Sequence, residues 1–309
     1  MSAGLPLDLD LPARPSAIAQ RSRALALFLD LVALTKPRIT IMVLATALGG
    51  AWLAARRAGV APAKTVLLAL LGTALIVGGA NALNMYLERD TDALMERTRS
   101  RPLPAGRLAP GAALAVGFVL SAVSLPLLTF GVNATTAMLA AIALTSYVLL
   151  YTPLKRRTSA ALLVGAVPGA MPPLIGWTSV AGAIEWPGVL LFGVLFFWQL
   201  PHFLAIATFR RDDYARANMK VLPVERGDPT TRRHIVGYLV LLVAVSLLLA
   251  QVGVGGPLYL AAAIVLGAGF LGLGAWGLRK SAGPRWARGL FFASMLYLVL
   301  LLTALVAGA

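Results

Sequence analysis

The run TVLLALLGTALIVGGANALNMY, residues 65–86, passes 22 residues without a charge. As a helix rising 1.5 Å per residue it would be about 33 Å long, enough to cross the roughly 30 Å hydrocarbon core of a bilayer. Working outward, eight more apolar stretches approach that length: 38–55, 111–131, 133–151, 159–180, 187–208, 235–254, 257–278 and 288–307. Short breaks at Gly131-Val132-Asn133 and Gly255-Gly256-Pro257 separate neighbouring members. The 309-residue chain is 59% hydrophobic and 13% charged, with mean hydropathy +0.82, too few polar residues to clothe a soluble protein of this size. The expected fold is all-α: a polytopic membrane protein of nine transmembrane helices around a central cavity.

The net charge of +15 tests that arrangement. Lys and Arg outside the stretches fall almost entirely in the N-terminal segment and in the loops after the second, fourth, sixth and eighth. Those five segments hold 24, and the opposite side holds only Arg56, Arg57 and Lys64. Losing one helix would scramble the alternation. The bias places the N-terminus and the long even-numbered loops in the cytoplasm. It also explains the basic balance by topology, so no nucleic-acid partner is expected.

Residues 1–30, with Pro6, Pro12 and Pro15, read as a flexible cytosolic tail leading into a short amphipathic run to Leu34; residues 31–309 form the membrane domain. No charged start leads into a short apolar core with a small-residue cleavage site, so no cleavable signal is expected. Cysteine is absent and histidine occurs twice, which excludes disulfides, thiolate metal sites, cysteine nucleophiles and a multi-histidine metal centre.

Chemistry has few places to sit. Of twelve acidic residues, Glu88, Asp90, Asp92 and Glu96 follow the second stretch, and Asp212, Asp213, Glu225 and Asp228 follow the sixth, on the same side of the membrane. Asn84, Glu88 and Asp92 recur every fourth residue and drift by only about 40° a step on a helix, with Asn81 in the same sector. If the second helix continues past the bilayer edge, it carries two amides and two carboxylates on one stripe. Amides inside a membrane helix are costly and imply a use. Such oxygens suit Mg²⁺, which takes one or two carboxylates and completes its shell with substrate phosphates. Arg97, Arg99 and Arg101 follow at once, and guanidinium groups grip phosphate oxygens in pairs. Acids for a metal beside arginines for an anion predict a diphosphate site.

In the second cluster, Gln199 and His202 interrupt an apolar helix, and Pro201 frees a carbonyl near them. Asp212 and Asp213 are adjacent, so at most one faces along the span above, and Lys220 is placed to neutralise a leaving diphosphate. Tyr151-Thr-Pro-Leu-Lys155-Arg156 ends the fourth stretch on the same side, which makes Tyr151 and Lys155 candidates for substrate contact. Pro168, Pro172 and Pro173 should break the fifth helix, and broken backbone at that depth is tolerated beside a cavity. The spacing of four spans between the acidic loops hints at a duplicated four-helix unit with a ninth helix added.

The Asn84, Glu88, Asp92 stripe resembles the first motif of the intramembrane UbiA-type prenyltransferases. The run from Asn84 to Leu103, the Tyr151 to Arg156 segment, Pro168-Gly169-Ala-Met-Pro172-Pro173-Leu-Ile-Gly176-Trp177, and Trp198-Gln199-Leu-Pro201-His202-Phe203 with Asp212-Asp213-Tyr214 resemble the haem-farnesylating branch of that family. The likeness spans roughly residues 30 to 305. Two departures stand out. Position 88 is Glu where the pattern usually has Asp, and the second motif, two aspartates four apart, is reduced to Asp212-Asp213.

The resemblance implies transfer of a farnesyl group from farnesyl diphosphate to a vinyl group of haem B, giving haem O. It implies Mg²⁺ on Asn84, Glu88 and Asp92, a second ion on Asp212 and Asp213, and phosphate contacts from Arg97, Arg101 and Lys220. His202 is a candidate contact for haem, as an axial ligand or through a propionate. The implied setting is a bacterial inner membrane with the site on the cytoplasmic side, and haem A synthase or oxidase assembly factors as partners. The alternatives are a sister enzyme acting on a quinone precursor, which the His202 segment argues against, and a transporter. A transporter should hold charge near mid-membrane, and here both acid clusters sit at one edge.

Overall fold

The computed structural model describes residues 17–308, with side chains from Arg23 onward. The tail expected over residues 1–30 lies outside the described residues up to position 16. Beyond that, helix α1 runs Ala17–Leu34. Nine helices among the described residues are long and apolar enough to span a membrane. The first three are α2 (Pro37–Ala58), α3 (Ala63–Asp92) and α4 (Pro110–Gly131). The fourth is composite: α5 (Ala134–Thr145) passes through a π-helical turn, Ser146–Tyr151, into α6 (Thr152–Leu154). Next come α7 (Ala161–Ala181) and α8 (Trp186–Phe209). Short helices α9 (Arg211–Arg216) and α10 (Leu222–Glu225) cross the loop to α11 (Gly227–Gln251), α12 (Pro257–Trp276) and α13 (Pro284–Gly308). No strand occurs among the described residues, and exposed Phe118, Phe130, Val265 and Phe292 line the outside, as a lipid-facing surface requires.

The helices close into two rings of four. One ring is α3, α4, α5 and α7; the other is α8, α11, α12 and α13; α7 against α8 joins them. This is the repeated four-helix unit hinted at by the loop spacing, and the additional helix is the first span, α2, which packs chiefly on α7. That contact is backbone on backbone. A Cβ on Gly176 would overlap the Ala47 carbonyl, and one on Gly50 would overlap the Pro173 carbonyl. Gly176→Leu is therefore expected to drive α2 off α7 and lower the melting temperature measurably, since overpacking of this kind costs about 1–3 kcal/mol. An exposed glycine such as Gly111, whose Cβ would meet nothing, serves as the control.

The prolines of α7 do not break it. The helix is continuous from Ala161 to Ala181 through Pro168, Pro172 and Pro173, contrary to the expectation of broken backbone. Packing holds it straight: α7 is clamped between α2 on one side and α5 and α8 on others, and Gln199 of α8 ties it down by donating to the Ala166 carbonyl at 2.7 Å. The other half of that expectation holds, because Gly165, Pro168, Gly169 and Pro172 do wall a cavity.

Candidate active site

α3 keeps its helix through the last apolar turn and out to Asp92, so the whole stripe is helical. Asn81, Asn84, Glu88 and Asp92 are all at most 5% exposed, yet all line one cavity of about 440 Å³. Its walls are α2, α3, the π-helical turn, α7 and α8. Over its charged end, the loop after α3 meets the loop after α8: Met95 is buried with Ala217 and Met219. Charge is confined to that end. The opposite depth is lined by Val43, Ile76, Val77, Ala143, Leu144 and Pro172.

The stripe is held by cations. Arg101 donates to Asp92 Oδ2 at 2.6 Å, and the Thr98 hydroxyl donates to the Asp92 carbonyl at 2.8 Å. Lys155 pairs with Glu88. Lys36 Nζ donates to Asn84 Oδ1 at 3.1 Å, while Asn84 Nδ2 donates to Thr152 Oγ1 at 3.1 Å. Thr152 is itself tied to the Tyr147 carbonyl, 2.8 Å away, across the π-helical turn. That turn re-aims Tyr147, Tyr151 and Lys155 into one cavity, a use to which π-helical turns are often put. Asn81 Nδ2 donates to the Thr35 carbonyl at 3.2 Å, which locks the α1–α2 corner to α3.

Five cations line the cavity (Lys36, Arg97, Arg101, Lys155 and Lys220) against two carboxylates, Glu88 and Asp92. An anion of about three charges would balance them. Lys36, just ahead of the α2 span, registers the imbalance: burial first, and then Arg101, lower its pKa to about 8. Above that pH the free protein holds a neutral amine there, and an anion must bring a proton with it. The apparent affinity for a diphosphate is therefore expected to fall as pH rises through about 8, with Lys36→Ala flattening that limb; a binding titration from pH 6.5 to 9.5 measures both.

Most of the residues singled out from the sequence meet in this cavity: Asn81, Asn84, Glu88, Asp92, Arg97, Arg101, Tyr151, Lys155, Gln199 and Lys220. Asp212, Asp213 and His202 do not line it. On α9 neighbouring side chains point about 100° apart; Asp213 turns inward and pairs with Arg216 at 3.3 Å, and Asp212 is left exposed. The second ion site expected on those two aspartates is accordingly not assembled. His202 faces α13. Sequence reasoning missed Lys36, Tyr147 and Thr152. Lys36 had one usable signal, its place directly before Pro37 at the membrane border.

The first ion site fits its residues. Asn84, Glu88 and Asp92 offer hard oxygens on one wall, the donor chemistry Mg²⁺ prefers. Among the described residues no three His, Cys, Asp or Glu cluster closely enough to hold an ion alone. An ion here would share its shell with the oxygens of an anionic ligand.

A membrane bundle holding an amphiphile-shaped cavity, charged at one edge and apolar in its depth, suits an intramembrane prenyltransferase, and the chain belongs to the UbiA prenyltransferase family, which it matches over residues 43–296. Its similar relatives include the protoheme IX farnesyltransferase of Sorangium cellulosum, 64% identical over 87% of this chain and 100% of that one. That of Myxococcus xanthus is 54% identical over 89% of this chain and 93% of that one. Among solved structures, a digeranylgeranylglyceryl phosphate synthase superposes with a TM-score of 0.79 at 18% identity, covering 91% of this chain and 98% of that one. A UbiA homologue from Archaeoglobus fulgidus bound to GPP and Mg²⁺ gives 0.61 at 15%, covering 90% and 99%. At these identities the structural likenesses establish the fold.

Proposed function

We propose that the chain joins the farnesyl group of farnesyl diphosphate to a vinyl group of protohaem IX, with water completing the product, haem O, and diphosphate leaving. The C1–O bond of the prenyl diphosphate breaks and C1 bonds to the vinyl terminus. A hydroxyl from water adds at the inner vinyl carbon, and the proton from that water is released. The carrying observation is the cavity whose charged end and apolar depth match a diphosphate and a prenyl tail. The relatives named for this reaction support the choice of acceptor.

The residues divide the work. Asn84, Glu88 and Asp92 hold Mg²⁺, which when bound neutralises charge developing on the leaving diphosphate. Arg97, Arg101, Lys155 and Lys220 grip the phosphate oxygens. To do so, Arg101 and Lys155 exchange their carboxylate partners, Asp92 and Glu88, for the ligand's oxygens. Such preorganised cations stabilise the departing charge most, because they are already in place when the bond breaks. The apolar walls around Ile76, Val77 and Leu144 keep bulk water from the allylic cation. In this reading the charged end lies at the cytoplasmic face of the inner membrane, and the positive-inside bias supports that side.

Incubation of the purified protein with haem B and farnesyl diphosphate tests the assignment by product mass. The expected result is haem O formed with Mg²⁺ and not after chelation. Prenylation of a quinone precursor with no product from haem would overturn it.

A further inference from the structure

His202 is half-buried on α8, one position from Phe203, and packs against α13. Its Nδ1 lies 2.7 Å from Ser294 Oγ, and the Ser294 hydroxyl donates its only proton to the Phe291 carbonyl at 2.6 Å. Ser294 can therefore only accept from His202, so the ring carries its proton on Nδ1 and Nε2 is a bare lone pair. Among the described residues Nε2 has no hydrogen-bond partner, yet it is not a buried atom. An unsatisfied acceptor open to lipid is costly, and this tautomer, fixed by a partner on the other nitrogen, is the one metal-ligating histidines adopt.

The surroundings suit a flat aromatic metal complex. Trp198 stacks on His202 at 4.9 Å and Phe291 lies 4.8 Å away. Phe203 lines the cavity and is 44% exposed, and Ile39 of α2 does the same at 52%, so the cavity opens sideways to lipid beside His202. Seven residues up the same face of α8, about 10 Å toward the loops, Phe209 meets the Arg288 guanidinium at 5.9 Å. About 440 Å³ is space for a prenyl diphosphate but not for a tetrapyrrole beside it, so a large acceptor has to sit in the side opening.

Resting on the reading that haem is the acceptor, we propose that His202 Nε2 is an axial ligand of its iron. The macrocycle lies against the α8–α13 face, with a vinyl edge at the opening beside Phe203 and a propionate toward Arg288. Two histidines in the chain make the test clean. Haemin is titrated into purified wild type, His202→Ala, His234→Ala and Ser294→Ala. Absorption and electron paramagnetic resonance report the ligand, and binding of a non-hydrolysable farnesyl thiodiphosphate reports folding. The expected result is a histidine-ligated spectrum in wild type and His234→Ala, lost in His202→Ala with at least a tenfold weaker affinity and restored by added imidazole. Ser294→Ala, which keeps the ring and removes its orienting partner, should weaken haem binding about tenfold. A histidine-ligated spectrum unchanged by His202→Ala overturns the proposal. Should His202→Ala not fold, wild type labelled with ¹⁵N-histidine decides: no nitrogen coupling to iron overturns it, and coupling that persists in His234→Ala upholds it. Wild type that farnesylates haem without ligation by His202 sinks this inference alone; wild type that never farnesylates haem sinks the reading beneath it.

Discussion

Asp92→Asn is expected to lower the rate of prenyl transfer by about a hundred- to a thousandfold, the scale on which enzymes lose preorganised stabilisation of a leaving charge. The substitution keeps the side chain's shape, so the loss is electrostatic. Asp92 is 4% exposed, with Arg101 2.6 Å away, in a cavity that already holds more cations than anions. Removing one of two carboxylates strips the ion site of charge and turns Arg101 from a paired group into a partly buried unpaired one. The apo protein should also lose stability, because breaking a buried pair is strongly destabilising. Measuring haem O formation together with the melting temperature separates these effects. An active Asp92→Asn protein would mean that the ion, if any, sits elsewhere.

Ala80→Leu is expected to switch the preferred donor from farnesyl to geranyl diphosphate. Helix α3 acts as a ruler along the cavity: Asp92 to Ala80 is twelve residues, about 18 Å, and Asp92 to Ile76 about 24 Å. Ala80 is 9% exposed and lines the cavity between the asparagines and the apolar floor made by Ile76 and Val77. Three added carbons there fill the space that the last isoprene unit occupies. Farnesyl use should fall tenfold or more, while the shorter donor, which ends before the obstruction, is spared. Competition between the two donors, read by product mass, gives the ratio directly. Equal loss of both would place the tail along another wall.

How far these features were legible depends on whether their causes are local. Asn84, Glu88 and Asp92 were found from periodicity alone, because they share one helix and a spacing of four survives any packing. Lys155 was legible from the motif closing the fourth span, although the π-helical turn that aims it was not. Lys36 was read as one more cytoplasmic charge, since nothing local says that the α1–α2 corner folds back onto α3; that contact joins Asn81 to the Thr35 carbonyl, 46 residues away. Asp213 shows the reverse error. Its loop does meet the loop after α3, but a one-residue choice of helix face turned it to Arg216. The His202–Ser294 contact spans 92 residues, and no pattern around either residue announces it. The number of spans was the easiest part, because hydrophobic length is a sum over many residues and tolerates boundary errors.

The account stands on metal and diphosphate meeting at the charged end of α3, and Mn²⁺ in place of Mg²⁺ makes that meeting visible by electron paramagnetic resonance. The predicted result is tight Mn²⁺ binding to the wild-type protein only when farnesyl thiodiphosphate is present, abolished by Asp92→Asn and weakened by Glu88→Gln. Mn²⁺ held equally well without the diphosphate, or unaffected by the loss of Asp92, would contradict it.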